Sequence, residues 1–426
     1  MYFQIMRNEL LTAVFLLIGI TAFAQNTAHL DGVIDLSIEE RSIEGVYEIS
    51  ELPTGDNTLF FALNKQLGVD AIHMNDVRIA SAKVPQDNKD YYVYKLIVEN
   101  PFATGDKLKI AVSGKLKKFK EGKKRELRSS QIFINEGILR AYGDSKWYPV
   151  IVDNIDITEE VAFTYDFKTS CSDCSNTLLN GSITSETQGD FHSAKAGKDV
   201  VLIAGNYETT KGKYASYVNL PAADVSKLET LIGSISNFYN ELTGEQTPEN
   251  LVYAYLPTDV NHELVSGSTL IRTSENTNYQ DLAAFLSHEI AGQYLNNLAG
   301  KQTASREYYD RSLAKYLSLK YLKASQPEHF ALISNTYNQA VVDADASLKN
   351  RTLNPYQLLA LEQNIGSDKM AEFLKVFYNN LDDTANAYDT LMASMDQVGV
   401  EQERIANIEK NIINNFDNAE ETVAGF

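Results

Sequence analysis

The residues best suited to chemistry are His288 and Glu289, which lie at the centre of the stretch DLAAFLSHEIAGQYL at 281–295. The apolar residues of this stretch have the spacing of an amphipathic helix, and Gly292 stands one helical turn after His288. Two histidines one turn apart can bind one metal ion, and a glutamate after the first can deprotonate the metal-bound water for hydrolysis. Because a glycine occupies the place of the second histidine, the stretch contains half of such a site.

This helix belongs to a series of predicted helices in the second half of the chain. Apolar residues first recur at helical spacing from Val225 to Leu242, between the boundary residues Pro221 and Gly244. Two strands of a small mixed sheet are predicted next, at 251–256 and 269–272. Helical patterns then cover 279–299, 304–323, 327–344, 355–364, 368–380, 385–397 and 401–415.

Residues 28–210 have the pattern of β-structure instead. Runs of β-branched, aliphatic and aromatic residues at 59–63, 91–98, 107–112, 160–167 and 200–205 are separated by turn residues. Strands at this spacing, without helices between them, predict an antiparallel β domain of the sandwich or saddle type. We therefore predict an α+β protein, with an N-terminal β domain at 25–212 and an α-rich domain at 213–426.

Residues 1–24 are predicted to be a signal peptide. Arg7 supplies positive charge, 10–20 is a short apolar core, and Ala22-Phe-Ala24 is a small-residue cleavage site before Gln25. The apolar core is too short to span a bilayer comfortably, and no other stretch approaches the length of a transmembrane helix. We expect an exported protein, periplasmic or extracellular, without a membrane span.

Charge and cysteine content exclude several classes of function. The formal net charge of −19 argues against general affinity for nucleic acid, because phosphate contacts need clustered lysine and arginine. One basic stretch, 115–128, is interpreted as a solvated hairpin tip, with a patch for an acidic partner as the alternative.

The two cysteines, Cys171 and Cys174, are expected to form a local disulfide in an exported protein, with redox chemistry as the alternative. A zinc ribbon would need a second cysteine pair.

Four stretches resemble the aminopeptidase N-like gluzincins, a family of zinc metallopeptidases that includes leukotriene A4 hydrolase. AFLSHEIAGQYL at 284–295 is similar to the family's A-H-E-x-A-H-Q-W-F stretch, and YYDRSLAKYLSLKYL at 308–322 to its W-L-N-E-G-F-A-x-Y-L helix. WYP at 147–149 and LLALEQNIG at 358–366 resemble further family stretches. The resemblance implies a saddle-like β domain followed by a thermolysin-like domain, with His288 as first metal ligand and Glu289 as general base.

The chain departs from the family pattern at the remaining functional positions. Gly292 replaces the second histidine ligand, and Arg311 replaces the glutamate ligand. The family's amine-binding G-x-M-E-N strand should lie near 261–271, where Glu263 is at most a displaced remnant. Tyr356 is only approximately placed for the family's transition-state tyrosine. A catalytic zinc needs three protein ligands, and the permanent charge of an arginine opposes a dication, so we expect no bound metal.

The retained residues then need another explanation. We expect the Arg311 guanidinium to occupy the vacated metal position and to pair with Glu289, because an unpaired buried carboxylate is costly. His288 has three interpretations: a packed helix histidine, a binding-site residue without metal, or a metal ligand rescued by other residues. The candidate rescuing ligands are His262, His329 and Asp310.

The sequence thus predicts an exported relative of these aminopeptidases that has lost zinc and peptidase activity. It is expected to keep the inter-domain cleft as a peptide- or protein-binding surface, with Glu289 as a vestigial general base. The predicted binding residues are His288, Glu289, Arg311, Glu263 and Tyr356. Two alternatives stay open: a working zinc aminopeptidase with non-standard ligands, and an envelope structural or adhesion protein. No cofactor is expected unless the first alternative holds, in which case it is zinc.

Overall fold

A computed structural model describes residues 27–86, 90–117, 130–157, 160–243, 251–256, 264–266, 269–272, 279–298, 304–331, 355–380 and 387–410. The described residues form two compact units, one ending at Asn206 and the other beginning at Tyr207. The predicted signal peptide and most of the basic stretch lie outside the described residues. None of the helices in the described part is long and apolar enough to cross a membrane.

The first unit is built of β-strands. In chain order they are β1 Ala28–Ser37, β2 Ser42–Ser50, β3 Thr58–Asn64, β4 Gly68–Met74, β5 Val77–Arg78, β6 Ser81–Pro85, β7 Tyr91–Ile97, β8 Leu108–Lys115, β9 Phe133–Asn135, β10 Ile138–Ala141, β11 Val150–Val152, β12 Phe163–Cys171, β13 Asn176–Leu179, β14 Ser182–Thr184, β15 Gln188–Gly197 and β16 Leu202–Gly205. They form a seven-stranded sheet β15-β12-β1-β2-β8-β4-β5, a five-stranded sheet β14-β13-β16-β10-β9 and a four-stranded sheet β11-β3-β7-β6. The predicted N-terminal β domain is confirmed.

The seven-stranded sheet contains a parallel pair that the sequence did not predict. Along β1 one neighbour, β2, is antiparallel, whereas the other neighbour, β12, runs parallel to it. The remaining pairs of described strands in this sheet are antiparallel. A parallel pair needs a long crossover connection, so local turn signals could not reveal it.

Side chains of β1 and β12 alternate between a core side and a solvent side, as the twofold repeat of a strand requires. Ile34 of β1 and Phe167 of β12 are buried in the core of the unit. His29 and Asp31 of β1 point to the other side, together with Asp166 of β12. The outer side of the sheet therefore holds imidazole and carboxylate groups on neighbouring strands.

The second unit combines a small sheet with helices. Its strands are β17 Thr209–Lys211, β18 Ser216–Val218, β19 Val252–Tyr255, β20 Leu264–Ser266 and β21 Thr269–Arg272. Its helices are α1 Ala222–Thr243, α2 Tyr279–Leu298, α3 Ala304–Ser325, α4 Pro355–Ile365, α5 Ser367–Asn380, α6 Ala387–Gln397 and α7 Gln402–Ile408. The sheet order is β17-β18-β19-β21-β20, with parallel pairing from β18 to β21 and antiparallel pairing at both ends. The predicted small mixed sheet and helical region are confirmed.

The boundary between the units lies earlier than the predicted division at 212/213. That division falls in the turn between β17 and β18, which pair as a hairpin. Because β18 also pairs with β19, the whole hairpin belongs to the second unit. Hydrogen bonding across the sheet, rather than the change of composition, sets the boundary.

Several predicted elements differ from the observed ones at their ends. β12 begins at Phe163 and continues to Cys171, beyond the predicted 160–167. The α-helical part of α7 ends at Ile408, whereas the pattern predicted helix to 415, and 411–426 lie outside the described residues. Of the helix predicted at 327–344, residues 327–331 are helical and 332–344 lie outside the described part.

Buried hydrogen bonds fix α2 against its neighbours. The Ser287 hydroxyl of α2 lies 2.7 Å from the Ser318 hydroxyl of α3, and both residues are fully buried. From α1, the Tyr239 hydroxyl donates to the Ser287 carbonyl at 2.8 Å. The Tyr294 hydroxyl of α2 donates to the Ser236 carbonyl of α1 at 3.1 Å. These contacts set the rotation of α2 about its axis, and hence the direction of its remaining side chains.

Candidate functional site

His288 and Glu289 lie on the less buried side of α2. The flanking residues Ser287 and Ile290 face the core, so the two side chains between them are turned toward the outer part of the unit. The side chain of His288 is 30% exposed and that of Glu289 is 24% exposed. His288 Nε2 and Glu289 Oε1 are 3.9 Å apart. An imidazole and a carboxylate are thus held together at a partly open surface.

Gly292 stands one turn after His288, and its conformation does not require a glycine. Its φ is not in the left-handed region, and a Cβ built there has no described heavy atom within 4 Å. A larger residue therefore fits at Cβ, and a glycine inside a helix costs about 1 kcal/mol relative to alanine. The absence of a donor at 292 is a chemical difference that packing against the described residues does not explain.

Arg311 lies in α3, as predicted, but its side chain is outside the described residues. The predicted pairing of Arg311 with Glu289 therefore stays a prediction. Positions 311, 315 and 318 share one face of α3 by helical spacing, and Ser318 on this face contacts Ser287 of α2. Lys315 is partly buried, and desolvation lowers the pKa of its ammonium. The face of α3 directed at α2 carries Lys315, and helical spacing assigns position 311 to the same face.

The other candidate site residues are only partly described. His262 and Glu263 lie outside the described residues, as do the side chains of Asp310 and Tyr356. His329, in the helical turn 327–331, is buried, and neither ring nitrogen has a hydrogen-bond partner within the described part of the chain. The proposed role of these residues as rescuing ligands stays untested.

The described donor set does not fit a catalytic zinc ion on α2. Such an ion needs three protein ligands, and the matching positions supply one imidazole, at His288. Among the described residues, no group of three metal-ligating side chains includes His288 or His329. Lys315 is partly buried on the neighbouring helix face, and its ammonium, while protonated, opposes a dication there. We therefore derive no chemical step through a metal at α2.

A second polar cluster, which sequence reasoning missed, joins α3 to α4. Lys320 Nζ lies 2.5 Å from Glu362 Oε1, and the Tyr316 hydroxyl donates to Glu362 Oε2 at 2.9 Å. The Ser367 hydroxyl donates to Glu362 Oε1 at 2.8 Å. Glu362 and Lys320 are 12% and 14% exposed. In the sequence, a tyrosine and a lysine stand one turn apart on α3. Their spacing could not reveal the cluster, because their common partner, Glu362, lies on another helix.

The titration of this cluster follows from burial and charge. Desolvation alone would raise the pKa of Glu362, but the Lys320 ammonium and the hydrogen bonds from Ser367 and Tyr316 outweigh it and lower the pKa. Burial, together with the Glu362 charge, raises the pKa of Tyr316 well above its usual value. The carboxylate is therefore ionised and the phenol neutral near neutral pH, which suits a structural ion pair.

Cys171 and Cys174 form a disulfide at the end of β12, with Cα atoms 5.4 Å apart. Between them, Asp173 reaches the turn between β1 and β2, accepting hydrogen bonds from the Ser37 hydroxyl at 2.9 Å and the Glu39 amide at 2.8 Å. Partial burial works against ionisation of Asp173, but these hydrogen bonds prevail and lower its pKa. The disulfide loop thus carries a carboxylate that ties two turns together.

The sequence of the chain matches no protein-family profile and no curated protein. Its fold is similar to those of solved peptidases. A mutant M1 zinc metallopeptidase from Deinococcus radiodurans bound to a Tyr-Ser-Ala substrate has a TM-score of 0.63 at 14% identity, over 90% of this chain and 93% of that chain. The M1 zinc metallopeptidase of the same organism has a TM-score of 0.62 at 13% identity, with the same coverage, 90% and 93%. Native yeast leukotriene A4 hydrolase has a TM-score of 0.63 at 14% identity, over 89% of this chain and 66% of that chain.

These similarities confirm the predicted relationship to the aminopeptidase N-like gluzincins at the level of the fold. The chain has the M1 metallopeptidase fold, with a β-sheet N-terminal region followed by a helical part. Identities of 13–14% describe the fold alone. What the chain does with that fold depends on the side chains at the site.

Proposed function

We propose that this chain is an exported protein with the aminopeptidase fold that has lost the catalytic zinc site on α2 and peptidase activity. On this proposal it binds a peptide or protein at the surface that contains His288 and Glu289, in the cleft that peptidases of this fold use for substrates. The observation that carries the proposal is Gly292, because a glycine supplies no ligand at the second metal position.

Two further observations support the loss of metal. Arg311 stands at the third ligand position, and Lys315, on the same face of α3 by helical spacing, adds a partly buried amine that is cationic while protonated. Replacing a carboxylate ligand with a cation changes the sign of the local field as well as removing a ligand. A single ligand loss could be rescued by a neighbouring donor, but a change of charge at the adjoining position opposes every dication.

The retained groups suit recognition of a peptide amine. Glu289 is a carboxylate at a partly open position, and the His288 ring beside it can act as donor or acceptor. A carboxylate that accepts a hydrogen bond from a charged amine contributes about 1.5–3 kcal/mol. The net charge of −19 also favours cationic ligands such as a free N-terminus. One structural neighbour was solved with a Tyr-Ser-Ala substrate, which makes that tripeptide a reasonable first probe.

The test combines binding with turnover. We expect the wild-type chain to bind Tyr-Ser-Ala in calorimetry without cleaving it, and Glu289→Gln to weaken binding about tenfold or more, as loss of a charged hydrogen bond predicts. The matched control is Glu372→Gln, an exposed carboxylate on α5, which should bind as the wild type does.

Each other outcome contradicts the proposal in a distinct way. Hydrolysis of an amino-acid amide by the wild type, abolished in Glu289→Gln, would show a working aminopeptidase with non-standard ligands. If the chain shows no binding and no hydrolysis, the structural or adhesion protein is favoured.

Export is tested by sequencing the N-terminus of the secreted chain, which we expect near Gln25.

A further inference from the structure

A cluster of imidazole and carboxylate groups lies on the outer side of the seven-stranded sheet, in the first unit. His29 and Asp31 come from β1, Asp166 from β12 and His192 from β15. The strand register places Asp31 opposite Asp166, and Asp166 opposite His192. Three adjacent strands thus bring four potential metal ligands to one place. These residues are separate from the site on α2.

We propose that this cluster is a binding site for Zn²⁺ or a similar first-row divalent cation, with His29, Asp31 and Asp166 as ligands. His29 Nε2 lies 3.3 Å from Asp166 Oδ2 and 3.6 Å from Asp31 Oδ1, and the three ligand atoms lie within 4.8 Å of one another. Zinc–nitrogen and zinc–oxygen bonds of about 2.0–2.2 Å in a tetrahedron place neighbouring ligand atoms about 3.3–3.6 Å apart. Both distances from His29 therefore match the edges of such a tetrahedron.

The orientation of His29 supports this role. Its Nδ1 lies 2.8 Å from the Thr164 hydroxyl, on β12, which is the second contact that metal-binding histidines usually make. With Nδ1 donating to Thr164, Nε2 carries the lone pair and points at the two carboxylates. Asp166 is held in turn, because His192 Nδ1 lies 2.6 Å from its second oxygen, Oδ1. Two of the three proposed ligands, His29 and Asp166, are thus oriented by neighbouring groups.

The arrangement of charges gives an independent reason for a cation. Like charges directly opposite each other on neighbouring strands destabilise a sheet, and Asp31 faces Asp166 in this way. A dication between them would remove the repulsion and join β1 to β12 across their parallel pair. One imidazole with two carboxylates is a ligand set for a borderline metal, which favours zinc over calcium or magnesium. The exposure of Asp31 and Asp166, 54% and 49%, leaves a fourth coordination position open to water.

A protonated His29 between the two carboxylates would give the same distances, so the experiment must separate a proton from a metal. The full-length mature protein is stripped of metal and titrated with zinc against a chromophoric chelator. We expect His29→Gln and Asp166→Asn each to lower the zinc association constant at least tenfold, since metal sites lose this much even when a supporting group is removed. Zinc should also raise the melting temperature of the wild type, and of neither variant.

The matched control is His73→Gln, on β4 of the same sheet, whose cross-strand partners are the cations Arg78 and Lys109. It should bind zinc as the wild type does. Should His29→Gln fail to fold, Asp31→Asn carries the test, because its side chain is largely exposed. The proposal is overturned if the wild type binds no zinc, or if His29→Gln and Asp166→Asn bind it unchanged. If zinc is lost in His288→Gln instead, the metal lies on α2. That result would contradict the proposed function, and it is distinguishable from failure to bind zinc at the sheet.

Discussion

At the scale of single residues, positions 292 and 311 distinguish the region of α2 and α3 from the zinc site of the family that the sequence resembles. His288 and Glu289 offer an imidazole and a carboxylate, while Gly292 has no donor side chain and no contact with a described residue that requires a glycine. Glu362, in contrast, is a carboxylate with several hydrogen-bond partners: a lysine, a tyrosine and a serine all contact it. On our proposal, the same chain contains a satisfied buried ion pair and, on α2, the remainder of a lost metal site.

The Glu362 cluster yields a stability prediction. Glu362→Gln leaves the Lys320 ammonium without its anion in a mostly buried place, so we expect the free energy of unfolding to fall by about 2–3 kcal/mol. Urea denaturation near neutral pH measures this. The matched control, Glu372→Gln on the exposed side of α5, should change stability by less than about 0.5 kcal/mol.

The same substitution has a predicted pH dependence. The pKa of Glu362 is lowered in the folded state from 4.5, so below this value the unfolded chain binds more protons than the folded one. The stability that Glu362 contributes is thus present above pH 4.5 and is lost as the pH falls through the lower folded pKa. The stability difference between wild type and Glu362→Gln should shrink in acid. A difference that widens on acidification would contradict this assignment.

At the scale of secondary-structure elements, α2 and α3 are joined by small polar residues. Ser287 and Ser318 meet at 2.7 Å, and both hydroxyls also lie within hydrogen-bond distance of the Ala284 carbonyl, at 3.1 and 3.4 Å. Small side chains at this contact let the two helices approach closely. The positions of His288 on α2 and 311 on α3 depend on this contact.

Enlarging this contact should destabilise the helix pair. Ser318→Val adds volume to a fully buried position and removes a hydroxyl, so we expect a loss of about 2–3 kcal/mol by thermal or urea unfolding. Ser226→Val, at an exposed position of α1, is the control and should stay within about 0.5 kcal/mol. A Ser318→Val protein as stable as wild type would mean that the helices are not closely packed there.

The sequence predicted the positions of many helices and strands, but not the long-range contacts between them. Apolar spacing predicted α2, α3, α4 and α5 to within about two residues, because apolar residues recur at helical spacing in each of them. His288 and Glu289 were found because their spacing is local. The Lys320–Glu362 pair spans 42 residues, and the His29–Thr164 contact spans 135. Contacts of this kind depend on strand order and helix packing, which no local pattern encodes.

At the scale of the whole molecule, each unit has its own core. The first core runs from Ala28 to Ala204 and the second from Ala215 to Ile408. Similarity to the Deinococcus peptidase covers 90% of the chain, so both units belong to the shared fold. The sequence predicted this order of domains because β and α patterns are segregated along the chain. On our account, the fold has been kept while the zinc chemistry of the second unit has been lost.

The zinc content of the whole chain tests this account most directly. The protein is prepared with His29→Gln and Asp166→Asn, to remove the proposed site on the sheet, then exposed to zinc, desalted and analysed for metal. We predict far less than one zinc per chain, and about one after Gly292→His and Arg311→Glu restore a three-ligand set on α2 and α3. Near-stoichiometric zinc without those two restoring substitutions, lost on His288→Gln, would contradict the account.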